Sequence, residues 1–158
     1  YPKIKKYVSV LSKTFLIDRI KNRLRSTRAQ TKSMDKVFSC SLNLASIILS
    51  FSDPLNPPYL DFKGHIVENF VYNCLKKLGP LYYYNQAGKE VGLILELNNT
   101  ILPFEVKSSS QLKKTDLNHL LSFLSKNHLT QGFVAYGGEM NFLKIEEKDI
   151  FLLPYWLF

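Results

Sequence analysis

Two short segments bring acidic and basic side chains into a spacing suited to phosphodiester chemistry: Glu90-Val91-Gly92 and Glu105-Val106-Lys107. Each lies in a run that alternates in character with the period of a strand. In residues 89–97, Val91, Leu93, Leu95 and Leu97 point one way, and Glu90, Gly92, Ile94 and Glu96 the other. In residues 100–107, Leu102, Phe104 and Val106 share one face, and Ile101, Pro103, Glu105 and Lys107 share the opposite one. With Asn98-Asn99 as a two-residue hairpin turn, paired residue numbers sum to 197,. Gly92 then lies opposite Glu105 and Glu90 opposite Lys107, with opposed side chains about 5 Å apart. A hard cation takes carboxylate, water and phosphate oxygens, and a nearby lysine stabilises charge on a phosphate. Glu90, Glu105 and Lys107 on one face would supply such groups. The same spacing also fits an ordinary Glu90–Lys107 ion pair, worth less than about 1 kcal/mol on an exposed face, with Glu105 solvated at an edge. A longer turn would shift the register.

Other elements must hold these strands in place. Residues 64–78 form the clearest helix, with Ile66, Val67, Phe70, Val71, Cys74, Leu75 and Leu78 recurring at three and four and Gly79-Pro80 as its stop,. Residues 81–85 read as a strand and 86–88 as a turn. Thr115 is placed to cap a helix over 116–127, with Leu117, Leu120, Leu121 and Leu124 facing inward,. Residues 132–136 are a strand, Gly137-Gly138 a turn, and 142–145 a shorter strand. The aromatic tail, Pro154 to Phe158, reads as buried packing. Upstream, residues 3–13 form a short helix, 15–25 a strand, 26–35 a polar turn region, and 36–51 a strand followed by a helix. Asp53-Pro54 and Asn56-Pro57-Pro58 make 52–63 a proline-rich linker, since proline at this density breaks helices and strands,. Three parts result: a small basic lobe at 1–51 that looks like the back half of a winged helix, the linker at 52–63, and a domain at 64–158.

The charge is unevenly placed. Residues 1–36 carry eleven Lys or Arg and two Asp, a net of +9, whereas residues 37–158 carry a net of −1. Such a patch attracts phosphates, with binding that weakens as salt rises. Arg19, Lys21, Arg23 and Arg25 alternate along one strand face, and Arg28 and Lys32 follow, so these six are the candidate nucleic-acid contacts. A solvated face, or a surface for an acidic partner, is the other reading. Cys40 and Cys74 lack CxxC spacing or a histidine pair, which suits a reduced, cytoplasmic protein,. No apolar run nears the roughly 18 residues needed to cross a membrane, and no signal segment is visible. The chain starts at Tyr1, not Met, and reads as a piece of a longer polypeptide.

Other candidates carry less. His65, His119 and His128 stand on different elements, each without a second ligand at three or four residues, and suit solvated or packing roles,. Ser108-Ser109-Ser110 is a polar loop, and alternation in a core strand accounts for at least two rings of Tyr82-Tyr83-Tyr84,. There is no GxSxG elbow and no GxxxxGK[ST] phosphate loop,.

Glu90-Val91-Gly92 followed by Glu105-Val106-Lys107 resembles the Glu-Val-Asp … Glu-Val-Lys signature of PD-(D/E)XK nuclease folds. Gly64-His65-Ile66-Val67-Glu68-Asn69-Phe70-Val71 resembles the G-x-x-x-E-N-x-V helix of one branch. That branch is domain of unknown function 4143 and its relatives, found at the C-terminus of predicted archaeal and bacterial AAA-type ATPases. Lys36-Val37-Phe38 is similar to its K-V-Y strand. The resemblance implies an α/β, restriction-endonuclease-like core ordered α-β-β-β-α-β. It implies that Glu68 approaches a metal from the helix, that Glu105 is the strand ligand and that Lys107 is the fold's lysine. The expected aspartate falls at Gly92, which offers no side chain; Glu90 or Glu96 would have to replace it across roughly 7 or 14 Å of extended strand. A degenerate site follows, on a nucleic-acid-associated accessory domain of an upstream ATPase module. Two alternatives stand beside it: an active Mg²⁺-dependent DNA endonuclease, and a protein-interaction or homo-oligomerisation domain. Mg²⁺ is the cofactor if the site is active; otherwise none is expected.

Overall fold

The computed structural model describes residues 2–24, 28, 30, 33–48 and 57–158. Helix α1 (Pro2–Lys13) leads into strand β1 (Ile17–Ile20), which pairs antiparallel with β2 (Lys36–Ser39); helix α2 (Leu42–Ile48) follows. Helix α3 (Pro57–Leu75) precedes the strands β3 (Leu81–Gln86), β4 (Lys89–Leu97) and β5 (Thr100–Val106). A 3₁₀ turn (Lys114–Leu117) runs into α4 (Asn118–Lys126), and β6 (Gln131–Tyr136), β7 (Asn141–Ile145) and β8 (Lys148–Pro154) complete the chain before a final 3₁₀ turn at Tyr155–Leu157.

The six strands β3–β8 form one mixed sheet in the order β3-β4-β5-β6-β8-β7. The β3-β4-β5 meander is antiparallel, while β6 lies parallel to both β5 and β8. Apolar residues on both faces demand a layer on each side. On one face, Val71, Tyr72 and Leu75 of α3 meet Leu93, Leu95 and Phe104. On the other, Leu120, Phe123 and Leu124 of α4 meet Val91, Ile94, Val134 and Ile150. The chain is thus α/β, with a central mixed sheet between helices. Among the described residues, no helix is long and apolar enough to cross a membrane.

The hairpin register follows the sequence. Leu97 pairs with Thr100 and Leu93 with Phe104, so the sum of 197 holds. Asn98 and Asn99 both have positive φ, 47° and 63°, which is what a two-residue primed turn requires,. The facing of β4 does not follow. The β3–β4 register shifts between Tyr82 and Tyr84. Two β4 residues, Gly92 and Leu93, therefore stand against Tyr83, as in a β-bulge. The bulge breaks the alternation: Leu93 and Leu95 face α3, while Val91 and Ile94 face α4.

Four further boundaries differ from the reading of the sequence. Helix α3 begins at Pro57 and runs through 57–63, because prolines in a first helical turn remove only N–H groups that have no helical partner,. Residues 52–56, the rest of the expected linker, lie outside the described residues, as do 49–51 of the expected lobe. Thr115 does not cap α4; the 3₁₀ turn intervenes, and its start is held by the Lys113 N–H donating to Asp116 at 2.8 Å. Strand β1 ends at Ile20, and residues 21–23 instead run along the edge of β3. There Tyr83 N–H donates to Lys21 O, Arg23 N–H donates to Tyr83 O, and buried Asn22 exchanges two hydrogen bonds with the Asn85 backbone. Strand β8 (Lys148–Pro154) adds a strand to those expected from the sequence. Its hairpin from β7 turns at Glu146-Glu147, both at positive φ, a pair that gives no turn signal,.

Candidate functional site

The paired part of the β4–β5 hairpin runs from its turn to Leu93 and Phe104. Beyond it, β5 pairs through Glu105 and Val106 with Val134 and Ala135 of β6, while β4 pairs through Val91 and Glu90 with β3. The strands open there like a fork. A cleft of about 300 Å³ sits at this point, lined by Lys36, Glu68, Glu90, Gly92, Glu105 and His119 among others. Helix α3 delivers Glu68, α4 delivers His119, and β2 delivers Lys36 from the N-terminal ribbon.

Lys36 Nζ donates to Glu68 Oε1 at 2.6 Å and to Glu90 Oε1 at 2.9 Å. Glu90's other oxygen accepts from Asn85 Nδ2 at 2.9 Å. Burial alone would lower the Lys36 pKa, but the Glu68 and Glu90 carboxylates outweigh it and hold the ammonium above the usual lysine range,. Burial would likewise raise Glu90, yet Lys36 and Asn85 bring its carboxyl below the usual range. Lys107 pairs with Glu105 at 3.0 Å and lies 3.9 Å from Asp116. Burial pushes Glu105 up; Lys107 opposes this and the Glu68 charge reinforces it.

Gly92 has a specific reason to be glycine. A β-carbon built there would overlap Glu68 Oε1, well inside the 3.0 Å that real Cβ atoms keep, and would stand 3.9 Å from Lys36 Nζ. The space that an aspartate would use is taken by the Glu68 carboxylate and its lysine partner.

Glu68, Glu90, Gly92 and Glu105 line one cleft, whereas Lys107, which the spacing put in the same cluster, is not among its lining residues. The expected Glu90–Lys107 pairing does not form: Glu90 turns to Lys36 and Asn85, and Lys107 to Glu105 and Asp116. Among the described residues, no three His, Cys, Asp or Glu side chains form a group able to hold a metal ion. As arranged, this donor set does not fit a hard divalent cation. Two carboxylates are engaged by an ammonium, the third by Lys107, and position 92 offers no oxygen. His65 and His119, exposed residues on different helices, both line the cleft. Lys36 is the residue that sequence reasoning missed; its only signal was its place in Lys36-Val37-Phe38.

The basic residues divide. Arg19 pairs with Asp35, and Arg23 pairs with Glu96 at 3.2 Å while lying over the Tyr82 ring. Lys21 and Arg28 are exposed. Arg25 and Lys32 lie outside the described residues. Lys76 and Lys77, in the turn just past α3, join Arg19, Lys21 and Tyr82 along a groove of about 740 Å³. Asp18 also lines this groove, and its charge is met by Lys76 at 2.9 Å. Gly79-Pro80 turns the chain one residue after the two lysines, and that stop was legible, but the approach of β1 to them was not.

No curated protein and no solved structure matches the chain significantly. The family model described as "Domain of unknown function (DUF4143)" matches residues 63–158. This span contains α3 from Lys63 onward and the whole six-stranded sheet. The chain belongs to the DUF4143 family.

Proposed function

We propose that this chain is a nucleic-acid-associated accessory domain of an ATPase, built on a PD-(D/E)XK nuclease-type core whose site has lost its metal chemistry. The element order from α3 to β6 is α-β-β-β-α-β, the order that core requires. The fork between β4 and β5 gathers Glu68, Glu105 and Gly92, and the resemblance puts the motif's aspartate at Gly92. Binding without cutting rests on one observation above the others: the groove of Arg19, Lys21, Lys76 and Lys77 beside Tyr82. Its single acid, Asp18, is already neutralised, so Lys21 and Lys77 meet the solvent as cations next to a half-buried aromatic ring. Helix α1 adds exposed Lys3, Lys5, Lys6 and Lys13. Cations that track a phosphate backbone, with a ring for stacking, are the working parts of a sequence-tolerant single-strand site.

The test is anisotropy of a labelled DNA oligonucleotide across a salt series, with the full chain and its Lys21→Glu/Lys77→Glu variant. Binding near about 50 mM salt should fall steeply with added salt, and the variant should bind more weakly with a slope reduced by about two. No binding at that salt, or binding insensitive to salt and to the substitutions, would reject the reading.

A second reading has its own observation. Helix α1 exposes Ile4, Tyr7 and Val10, and Phe15 lies exposed just beyond it. An apolar strip of this kind suits docking on the ATPase module or a second copy of the chain. Sedimentation at high salt separates this from the groove: an association that survives high salt belongs to α1.

A further inference from the structure

Three glutamates line the fork; two of them share one ammonium, and the third pairs with Lys107. The Lys36 ammonium is bound at 2.6 and 2.9 Å by Glu68 and Glu90. It is not a loose surface lysine. Its backbone belongs to β2, where Ile20 pairs with Lys36. Two residues on, Phe38 stacks on Tyr72 of α3, with ring centroids 4.1 Å apart and planes 9° apart. One residue further, Ser39 N–H donates to Asn69 Oδ1 at 2.7 Å, and Ser39 O accepts from Asn69 and Asn73, each at 2.9 Å. Glu68 and Asn69, neighbours on α3, thus grip β2 at two points three residues apart. Gly92 leaves the space through which Glu68 reaches Lys36.

We propose that Lys36 is a tethered counter-ion standing where a nuclease of this type would hold a divalent cation, so that the fork works as a clasp fastening the N-terminal ribbon to the sheet and takes up a metal ion only once that ammonium is removed. A lysine ammonium and a metal ion answer the same electrostatic demand, that of neighbouring carboxylates in a partly desolvated cleft. The ammonium, however, offers no open coordination position to a phosphate, so the same carboxylates bind a neighbouring piece of chain instead of a reacting group. This rests on reading the fork as nuclease-derived and not on the groove, so loss of DNA binding and failure of the clasp are separate results.

The experiment is a Mn²⁺ titration of the full chain and its Lys36→Met and Lys36→Arg forms, read by calorimetry and by paramagnetic broadening of the His119 imidazole signals, which report on the fork. The parent and Lys36→Arg should show no binding at the fork at millimolar Mn²⁺. Lys36→Met should bind at least about tenfold more tightly than the parent, and adding Glu68→Gln should abolish it. Broadening of His119 in the parent as strong as in Lys36→Met would overturn the proposal, as would a folded Lys36→Met that takes up no metal. Should Lys36→Met fail to fold, the parent decides alone. A slowly exchanging Lys36 ammonium signal that persists in Mn²⁺ and disappears in Glu68→Gln supports the clasp; bleaching of His119 in the parent overturns it.

Discussion

Replacing Lys36 with methionine keeps an unbranched four-atom side chain and removes the ammonium that Glu68 and Glu90 share. Taking one partner from a fully buried ion pair typically costs about 3–5 kcal/mol, because the other charge is left without compensation. Here the side chains are 24% (Lys36), 17% (Glu68) and 40% (Glu90) exposed. Water reaches the triad and screens part of the loss, so roughly 2 kcal/mol is expected. For a chain of this size that corresponds to a Tm lower by about 4–8 °C. Neutralising the acids as well, in Lys36→Met/Glu68→Gln/Glu90→Gln, should restore most of the stability, since no uncompensated charge remains. Urea unfolding followed by circular dichroism at neutral pH provides the numbers, and a double-mutant cycle between positions 36 and 68 isolates the coupling. A coupling of about 1–2 kcal/mol is predicted. Additivity within about 0.3 kcal/mol would mean that the ammonium and the carboxylate do not stabilise each other, and the reasoning about the fork would be refuted.

Gly92→Asp should not restore cleavage. Its carboxylate would displace Glu68 from Lys36 and add a like charge, at a cost of about 1–2 kcal/mol in urea unfolding, with no nicking of plasmid DNA,. The pH dependence has a defined sign for each acid. Glu90, held low, contributes stability above the usual glutamate value of 4.5 and loses it as pH falls through its folded pKa, so Glu90→Gln should flatten the acid limb of the stability profile,. Glu105, held high, acts in reverse: its ionisation weakens the fold as pH rises above 4.5 through the raised folded pKa. Glu105→Gln should therefore remove a loss visible near neutral pH, read from urea midpoints across the pH range,. Leu93→Ala, at a fully buried position under α3, should cost about 2–5 kcal/mol by leaving a cavity, measured in the same way,.

Where the chain announces a turn, the fold was legible. Asn98-Asn99 accepts positive φ readily, so the hairpin and its register could be read from those two residues,. Glu146-Glu147 adopts the same backbone without any residue that favours it, and β8 went unseen behind it. The bulge at Gly92-Leu93 was hidden for another reason. Apolar residues follow on both faces of a sheet covered by helices, so a reversal of the pleat leaves no polar mark. The site was legible in its local half. Glu105 and Lys107 stand two residues apart at the end of β5, so their nearness was legible, whereas the pairing of Lys107 with Glu105 in place of Glu90 was not. Lys36 lies more than thirty residues before Glu68 and more than fifty before Glu90, and its role depends on how β2 docks, which no local pattern encodes. The basic patch divided for a similar reason: Asp35 and Glu96 claim two of its arginines only after folding, while Lys76 and Lys77 join it from another element.

The proposal that this domain holds nucleic acid and leaves it whole can be tested in one experiment. The direct measurement is to bind labelled DNA to the full chain at low salt in Mg²⁺ and in Mn²⁺, establish occupancy by anisotropy, and resolve the recovered strands on a denaturing gel. The account predicts high occupancy with intact strands in both metals. Metal-dependent cleavage by the parent that disappears in Glu105→Gln and Lys107→Met would contradict it.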